Sequence, residues 1–311
     1  MYELLFWFGV FIVSLAVLIK SSEFFTLAAE KLGIVLGIPS FIVGVTIVSL
    51  GTSLPELVSS VIAVLEGSPE IVVGNVVGSN IANIFLVLGL AAFFGKKLNI
   101  SFELIHVDLP LLMGSAIYLG LTLWDGLFTL PEALLGFVGV IIYIAYTIQS
   151  QKENNQKSTE ERKLEPKTIF TLIASSIFIY LGADYTIESV IRLSEILQIA
   201  KEIIAITAIS IGTSLPELLV SISAARMGKA EIAVGNVLGS NIFNSYLIIG
   251  VPALISPLVV SEVIITLALP VMIIATLLYF FMTQDKEITR YEGALLILFY
   301  VFFIGKLFGL I

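Results

Sequence analysis

The sequence predicts an all-α membrane protein in which ten transmembrane helices form two inverted five-helix repeats. Three observations predict this fold: the composition, the spacing of the apolar segments and an internal duplication. Hydrophobic residues fill 58% of the 311 positions and charged residues only 13%, whereas soluble domains are nearer half apolar and a quarter charged. Ten spans of about 20 residues each would use most of such a chain. We therefore expect one compact, multi-pass unit in the cell membrane.

Apolar runs separated by polar, glycine or proline breaks define the elements in order. The first run carries Glu3 and no preceding positive region, so we expect it to be retained as a helix rather than cleaved as a signal. The predicted helices are 3–32, 38–65, 71–94, 104–123, 127–149, 168–191, 202–225, 231–254, 260–282 and 290–309. The one strongly polar stretch, 150–167, predicts a flexible linker between a first repeat, 1–149, and a second, 168–311.

The distribution of positive charge predicts the orientation. If the N-terminus lies outside, 12 of the 16 Lys and Arg residues fall on the cytoplasmic side and three fall outside, with Lys20 in or beside the first helix. The positive-inside rule therefore favours both termini outside and the linker in the cytoplasm.

Two motifs occur twice in the chain. Residues 51–60 (GTSLPELVSS) match 212–221 (GTSLPELLVS), and residues 74–83 (GNVVGSNIAN) match 235–244 (GNVLGSNIFN), each at eight of ten positions. All four segments fit one offset of 161 residues. Because each half has an odd number of spans, the second copy must enter the membrane in the opposite orientation. Inverted repeats are typical of alternating-access transporters, whose substrate sites lie near the midplane between the repeats.

The first motif places one acidic residue of each half, Glu56 and Glu217, deep in an apolar segment. A carboxylate at membrane depth is costly unless it is paired, protonated or bound to a cation, so it marks a functional site. A glutamate that caps a neighbouring helix is the alternative. Two symmetric copies without a nearby Lys or Arg in sequence argue against simple ion pairing.

A proline precedes each glutamate, at Pro55 and Pro216. Proline cannot donate to the carbonyl four residues earlier, so the carbonyls of Gly51 and Gly212 lose their helical partners. Freed carbonyl oxygens, together with nearby Thr and Ser hydroxyls, are suitable cation ligands. A packing kink without ligands is the alternative.

The second motif forms a polar stripe on each repeat. Its Asn and Ser residues recur every four positions, which puts them on one helix face. The stripe residues are Asn75, Ser79 and Asn83 in the first half and Asn236, Ser240 and Asn244 in the second. Helix packing through interhelical hydrogen bonds is the alternative, above all for Asn75, Asn236, Asn80 and Asn241.

Composition excludes several classes of function. There is no cysteine and only one histidine, His106, so disulfides, thiol catalysis, iron–sulfur clusters and zinc sites with several Cys or His ligands are excluded. The chain offers no Ser–His or Cys–His pair for an enzyme, no basic stripe for nucleic acid, and no Lys after its glycine motif for a nucleotide. We expect no cofactor. His106 and Asp108 are expected at the membrane interface.

Charge arithmetic favours exchange over leakage. Two ionised glutamates carry a charge of −2, which one calcium ion or successive sodium ions can neutralise. Both ions suit flexible oxygen cages better than magnesium does. An empty cage with two bare carboxylates resists crossing the apolar barrier, so only a loaded site moves.

The doubled pair of motifs, GTSLPE with GNVVGSNIAN and GTSLPE with GNVLGSNIFN, resembles the two alpha-repeats of the sodium/calcium exchanger family, within the calcium/cation antiporter superfamily. The resemblance is to compact prokaryotic members without a large regulatory loop. It implies sodium and calcium as transported ions, a prokaryotic plasma membrane and alternating access. We expect a monomer in the lipid bilayer.

The resemblance also implies a ligand set. Glu56 and Glu217 would be shared ligands of calcium and sodium. Hydroxyl and amide ligands would be Thr52, Ser53, Ser79 and Asn83 from the first half and Thr213, Ser214, Ser240 and Asn244 from the second, with main-chain oxygens near Ser49 and Ser210. The potassium-dependent branch has Asp where this chain has Asn244, which speaks against potassium dependence. A calcium/proton antiporter and, from another class, a passive cation channel remain alternatives.

Overall fold

The computed structural model describes residues 2–65, 67, 69–102, 107–154, 165–196 and 214–311. Ten helices lie within this part of the chain. They are α1 Tyr2–Leu36, α2 Ser40–Leu65, α3 Glu70–Gly95, α4 Asp108–Thr122, α5 Leu130–Asn154, α6 Pro166–Ile196, α7 Leu215–Arg226, α8 Ala230–Ala253, α9 Ile264–Met282 and α10 Arg290–Leu307. Each predicted segment thus contains a described helix, although residues 202–213 of the seventh lie outside the described residues.

Seven of the described helices are long and apolar enough to cross a membrane, namely α1, α2, α3, α5, α6, α8 and α9. Of the other three, α4 is apolar but has 15 residues, and α7 has 12 described residues. The 18 residues of α10 include three charges, Arg290, Glu292 and Lys306.

The helices α5 and α6 extend into the predicted linker, since α5 continues to Asn154 and α6 begins at Pro166. The linker boundaries themselves, 150–167, stay a prediction, because residues 155–164 lie outside the described residues. Gln, Lys and Glu in the polar segment are good helix formers, so polarity alone does not end α5. Pro166 fits the first turn of α6, where no backbone donor is needed.

The helices α3 and α8, which carry the asparagine motifs, form the centre of the bundle. In α8, 89% of the most apolar stretch is buried, against 17% in α1. The peripheral helix α1 packs along α6, where Gly182 lies against Leu18 and the Thr186 hydroxyl donates to Ser14 Oγ at 2.9 Å. High hydropathy therefore does not imply burial: the apolar stretch of α9 has the highest mean hydropathy among the candidate spans, 2.5, but only 39% of it is buried, as expected where lipid replaces protein as the neighbour.

Four of these helices contain π-helical segments: Gly44–Val48 in α2, Asn83–Leu88 in α3, Asn244–Ile248 in α8 and Ile264–Ala268 in α9. Two of them begin at equivalent asparagines of the repeated motif. Such widened turns frequently occur at functional sites.

In the described part of the chain, four short strands connect the halves, which the all-α prediction missed. They are β1 Lys97–Asn99, β2 Leu127–Phe128, β3 Leu258–Val259 and β4 Glu287–Thr289. The strand β1 pairs antiparallel with β4, and β2 with β3. Each ribbon joins a loop of one half to a loop of the other. Segments of two or three residues have no periodicity that a sequence could reveal.

Equivalent capping contacts start α5 and α10. The Glu132 carboxylate accepts hydrogen bonds from the Thr129 amide and hydroxyl at 2.6 and 2.7 Å. Glu292 accepts from the Thr289 amide and hydroxyl at 2.7 Å each, and it completes a capping box. These pairs relate the ends of the two halves by an offset of 160 residues.

Candidate ion-binding site

Close contact between α2 and α8 brings the two halves together. A Cβ atom on Gly239 would lie 2.2 Å from the carbonyl oxygen of Val45, and one on Gly235 would lie 2.5 Å from that of Phe41. Only glycine therefore fits at these two positions. Small residues spaced by four let helix backbones approach closely. The polar residues of α2 consequently reach those of α8.

Glu217, in the first turn of α7, is 1% exposed. Its Oε1 accepts a hydrogen bond of 3.0 Å from Ser53 Oγ, which belongs to the other half. Its Oε2 has no hydrogen-bond partner among the described residues. The carboxylate of the second half is thus held by a hydroxyl of the first.

Glu56, on α2, is also 1% exposed, and neither of its carboxylate oxygens has a partner among the described residues. No Lys or Arg in the described part of the chain forms an ion pair with either glutamate. The carboxyl groups of Glu56 and Glu217 lie within electrostatic reach of each other. The two acidic side chains therefore converge between the halves rather than facing lipid, and three buried carboxylate oxygens are left without partners.

Two serine pairs flank the glutamates in a symmetric arrangement. The hydroxyls of Ser53 and Ser240 are 3.2 Å apart, and those of Ser214 and Ser79 are 3.4 Å apart. Each pair joins a residue of the glutamate motif to a residue of the asparagine motif from the opposite half. The structure thus brings all four predicted serines to the same centre.

The two predicted asparagines, Asn83 and Asn244, are buried, each 1% exposed, and each follows a paired serine by four residues on the same helix. Asn83 Nδ2 donates to Asn241 Oδ1 at 3.4 Å, while Asn83 Oδ1 has no partner among the described residues. In Asn244, neither amide atom has one. Both side chains therefore keep an oxygen available inside the protein.

Thr52 and Ser49 lie one turn further along α2. Thr52 Oγ1 is 3.3 Å from the Ser49 carbonyl oxygen and 3.3 Å from Asn236 Oδ1. The Ser49 hydroxyl donates to the Val45 carbonyl at 2.5 Å, so its main-chain oxygen is the atom that faces Thr52. Their equivalents Thr213 and Ser210 lie outside the described residues.

For some asparagines the sequence allowed helix packing as an alternative to ion binding, and three of these form hydrogen bonds between helices. Asn236 Nδ2 donates to Ser221 Oγ at 2.9 Å, and Asn75 Nδ2 donates to Ser60 Oγ at 3.3 Å. Each bond joins the two motif helices of one half. Asn80 Nδ2 donates to Ser245 Oγ at 3.0 Å across the halves.

Asp108, for which the sequence predicted a position at the membrane interface, is fully buried within the protein. It accepts a hydrogen bond of 2.9 Å from the Tyr146 hydroxyl on α5. The interfacial position stays a prediction, because burial within the protein does not test depth in the membrane. His106 lies outside the described residues.

The chemistry of the centre follows from these contacts. Carboxylate, hydroxyl, amide and carbonyl oxygens meet there, and no basic side chain accompanies them among the described residues. Hard cations prefer oxygen ligands of this kind. Fold and site together define an α-helical membrane protein with a buried, acidic, oxygen-lined centre between its two halves.

The chain belongs to the sodium/calcium exchanger family. The family model described as "Sodium/calcium exchanger protein" matches residues 6–150 and 167–308. This match confirms the family predicted from the doubled motifs, and with it a multi-pass membrane protein of a transporter family that exchanges calcium with other cations.

Relatives and solved structures agree with this membership. The sodium/calcium exchanger MaX1 of Methanosarcina acetivorans is 35% identical over 97% of this chain and 98% of its own length. The inner membrane protein YrbG of Escherichia coli is 33% identical over 79% of each chain. A structure of the sodium-calcium exchanger NCX_Mj, soaked with zero Na⁺ and Ca²⁺, has a TM-score of 0.85 at 29% identity, covering 98% of this chain and 99% of that one.

Proposed function

We propose that this protein is a secondary antiporter that exchanges sodium for calcium across the membrane by alternating access, without a requirement for potassium. The observation that carries the proposal is the set of three buried, unpartnered carboxylate oxygens of Glu56 and Glu217. Ionised carboxylates in apolar surroundings are costly unless a cation neutralises them. A cage of charge −2 is neutral with one calcium ion and can instead take sodium ions on the same oxygens.

The proposed ligands come from both halves. Glu56 and Glu217 supply the charge. The neutral oxygens come from Thr52, Ser53, Ser79, Asn83, Ser214, Ser240 and Asn244, and from the Ser49 carbonyl, with Thr213 and Ser210 completing the set. Support comes from the buried Ser53–Glu217 bond and from the two cross-half serine pairs. A site shared between halves opens to one side only when its surroundings rearrange.

The proposed architecture is ten spans in two inverted repeats, with both termini outside and the linker in the cytoplasm. The odd number of predicted spans in each half and the asymmetry of Lys and Arg support it. The two ribbons support it too, because the pairs β1–β4 and β2–β3 exchange places under the repeat offset. A cysteine introduced into this cysteine-free chain near either terminus should react with an impermeant reagent from outside the cell.

Potassium independence rests on neutral residues. Asn83 and Asn244 occupy equivalent positions, so the cage holds two carboxylates rather than three. A third carboxylate would favour an additional monovalent ion. The proposed cage therefore has no third negative charge for potassium to balance.

A flux assay in proteoliposomes tests the proposal. Vesicles loaded with sodium and diluted into sodium-free medium should take up radioactive calcium, equally with and without potassium. Glu217→Gln vesicles are the control for leakage. Uptake driven only by a pH gradient would identify a calcium/proton antiporter, and uptake without any counter-ion gradient would identify a channel. Either result would refute sodium/calcium exchange.

A further inference from the structure

A second buried acidic group lies outside the proposed cage. Asp108, the first residue of α4, is fully buried. Its Oδ2 accepts the hydrogen bond from the Tyr146 hydroxyl, but its Oδ1 has no hydrogen-bond partner among the described residues. No Lys or Arg of the described chain forms an ion pair with it. The carboxylate is therefore incompletely satisfied in an apolar environment, which is costly.

The duplication does not explain Asp108. The Leu–Pro pair that follows it, at 109–110, matches Leu–Pro at 269–270, so its counterpart in the second half is Ala268. Ala268 begins no polar cluster, and the fold of the second half therefore forms without an acidic residue here. The carboxylate is an addition to the first half alone.

An independent, unpartnered oxygen lies nearby. Tyr143, on α5, is 1% exposed, and its hydroxyl has no hydrogen-bond partner among the described residues. It lies within electrostatic range of Asp108. A buried hydroxyl without a partner is as unfavourable as a lost hydrogen bond. Asp108 Oδ1 and the Tyr143 hydroxyl therefore both lack a partner among the described residues, and the Asp108–Tyr146 bond joins the two helices that carry them. One oxygen is charged and one is neutral, and together they point to a ligand between α4 and α5.

We propose that Asp108, with Tyr143 and Tyr146, forms a second cation site that takes one small monovalent ion such as Na⁺. A single carboxylate neutralises one positive charge, so a monovalent ion fits better than calcium. Only oxygen atoms are available, which suits a hard cation. The site is distinct from the calcium cage that we proposed above, and its binding of sodium does not depend on transport.

The site is separated from the cage but linked to it through α8. Tyr279, whose hydroxyl is also within electrostatic range of Asp108, donates to the Val234 carbonyl on α8 at 3.1 Å. Val234 precedes Ser240 by six residues, which corresponds to about 9 Å along a helix. Sodium at Asp108 would therefore act through Tyr279 on α8, the helix that supplies Ser240 and Asn244, without contacting either residue.

Equilibrium binding of radioactive sodium to the purified full-length protein, without calcium, tests the proposal. Asp108→Asn should bind one sodium ion fewer per chain than the unmodified protein, while radioactive calcium still binds to both equally. Tyr143→Phe, which keeps the ring and removes only the free hydroxyl, should weaken sodium binding at this site several-fold. Retained calcium binding shows that each variant is folded.

Tyr279→Phe is the matched control, because it makes the same chemical change to a hydroxyl that already has a partner, and it should leave the sodium count unchanged. The proposal is wrong if Asp108→Asn and Tyr143→Phe both bind sodium as the unmodified protein does. It is also wrong if infrared difference spectra show a protonated Asp108 carboxyl that saturating sodium does not displace. A failure of calcium exchange in vesicles would leave this binding result intact, so the two proposals fail separately.

Discussion

The two glutamates of the centre occupy equivalent positions in the duplicated motif but have different surroundings. Glu217 accepts a hydrogen bond from Ser53 of the other half, whereas neither oxygen of Glu56 has a partner among the described residues. Ser214, the counterpart of Ser53, instead lies beside the Ser79 hydroxyl. The difference teaches that duplication of sequence does not produce a symmetric site. Among the described residues, Glu217 is anchored across the halves, whereas both carboxylate oxygens of Glu56 are without a partner.

Neutralising either glutamate should have the largest effect. Glu56→Gln and Glu217→Gln each remove half the charge of the cage, and we expect a loss of calcium uptake of at least about 100-fold, since breaking a buried charged arrangement costs about 3 kcal/mol or more. Radioactive calcium flux in vesicles measures it, with membrane insertion checked by gel filtration. Wild-type uptake in either variant would refute the site.

Removing the Ser53 hydroxyl, which binds Glu217, should reveal a difference between the two halves in their contribution to calcium affinity. Ser53→Ala deletes a hydrogen bond to a carboxylate, worth about 1.5–3 kcal/mol, so calcium affinity should fall about 10-fold or more. The matched variant Ser214→Ala also removes a proposed neutral ligand, but the bond that it loses is to the Ser79 hydroxyl and not to a carboxylate, so its loss of calcium affinity should be smaller. Calcium titration of both proteins measures the difference. Equal losses would mean that the halves are equivalent during binding.

Filling the helix contact should lower stability. A Cβ on Gly239 would lie 2.2 Å from the Val45 carbonyl oxygen, so Gly239→Ala must push α2 and α8 apart. Such overpacking costs about 1–3 kcal/mol. Thermal unfolding in detergent measures it. Gly114→Ala on α4, where no described atom lies within 4 Å of the added Cβ, should not lower the melting temperature. Equal melting temperatures for the two variants would contradict the close contact.

Adding a third carboxylate should change selectivity more than stability. Asn244→Asp would place an additional negative charge beside Glu56 and Glu217, and one calcium ion cannot neutralise three charges. Calcium uptake should therefore become more sensitive to pH or to added potassium. Asn83→Asp is the companion variant, and it should also lose the bond to Asn241. Uptake profiles that match the unmodified protein would place Asn244 outside the ligand set.

The smallest effect is expected at the end of α1. Lys229, before α8, forms an ion pair with Glu30, while Lys31 pairs with Glu165 before α6. The first pair joins α1 to the central bundle and is less exposed than the second. Partly exposed pairs are worth up to about 1 kcal/mol. In a double-mutant cycle with Glu30→Gln and Lys229→Met, the effects of the two changes on the exchange rate should not be additive. The charge swap, Glu30→Lys with Lys229→Glu, should restore the exchange rate because it forms the ion pair again. Additive effects would mean that the Glu30–Lys229 ion pair does not contribute to exchange.

Sequence predicted the helices and the centre because both leave local signals. Apolar runs of about 20 residues predict spans, and intramembrane Glu56 and Glu217 are recognisable from their apolar flanks. Family membership followed from the doubled motifs. The ligand roles, the inverted orientation and the absence of potassium dependence stay predictions.

Other features could not be predicted because they depend on partners distant in sequence. The burial of Asp108 is an example, because its hydrogen-bond partner Tyr146 lies 38 positions further along the chain. The hydrogen bond that distinguishes Glu217 from Glu56 joins residues 164 positions apart. The π-helical segments at Asn83 and Asn244 reflect local winding that residue type does not encode.

The two β-ribbons restrict how the halves can move. The strand β1 is registered with β4 over three residue pairs, and β2 with β3 over two. Any tilting of one half as a rigid body against the other would have to break backbone hydrogen bonds in both ribbons. The peripheral helices α1 and α6 belong to neither ribbon. Under the proposed alternating-access cycle, a movement of α1 and α6 against the rest of the bundle would leave both ribbons paired, whereas tilting of the halves would not.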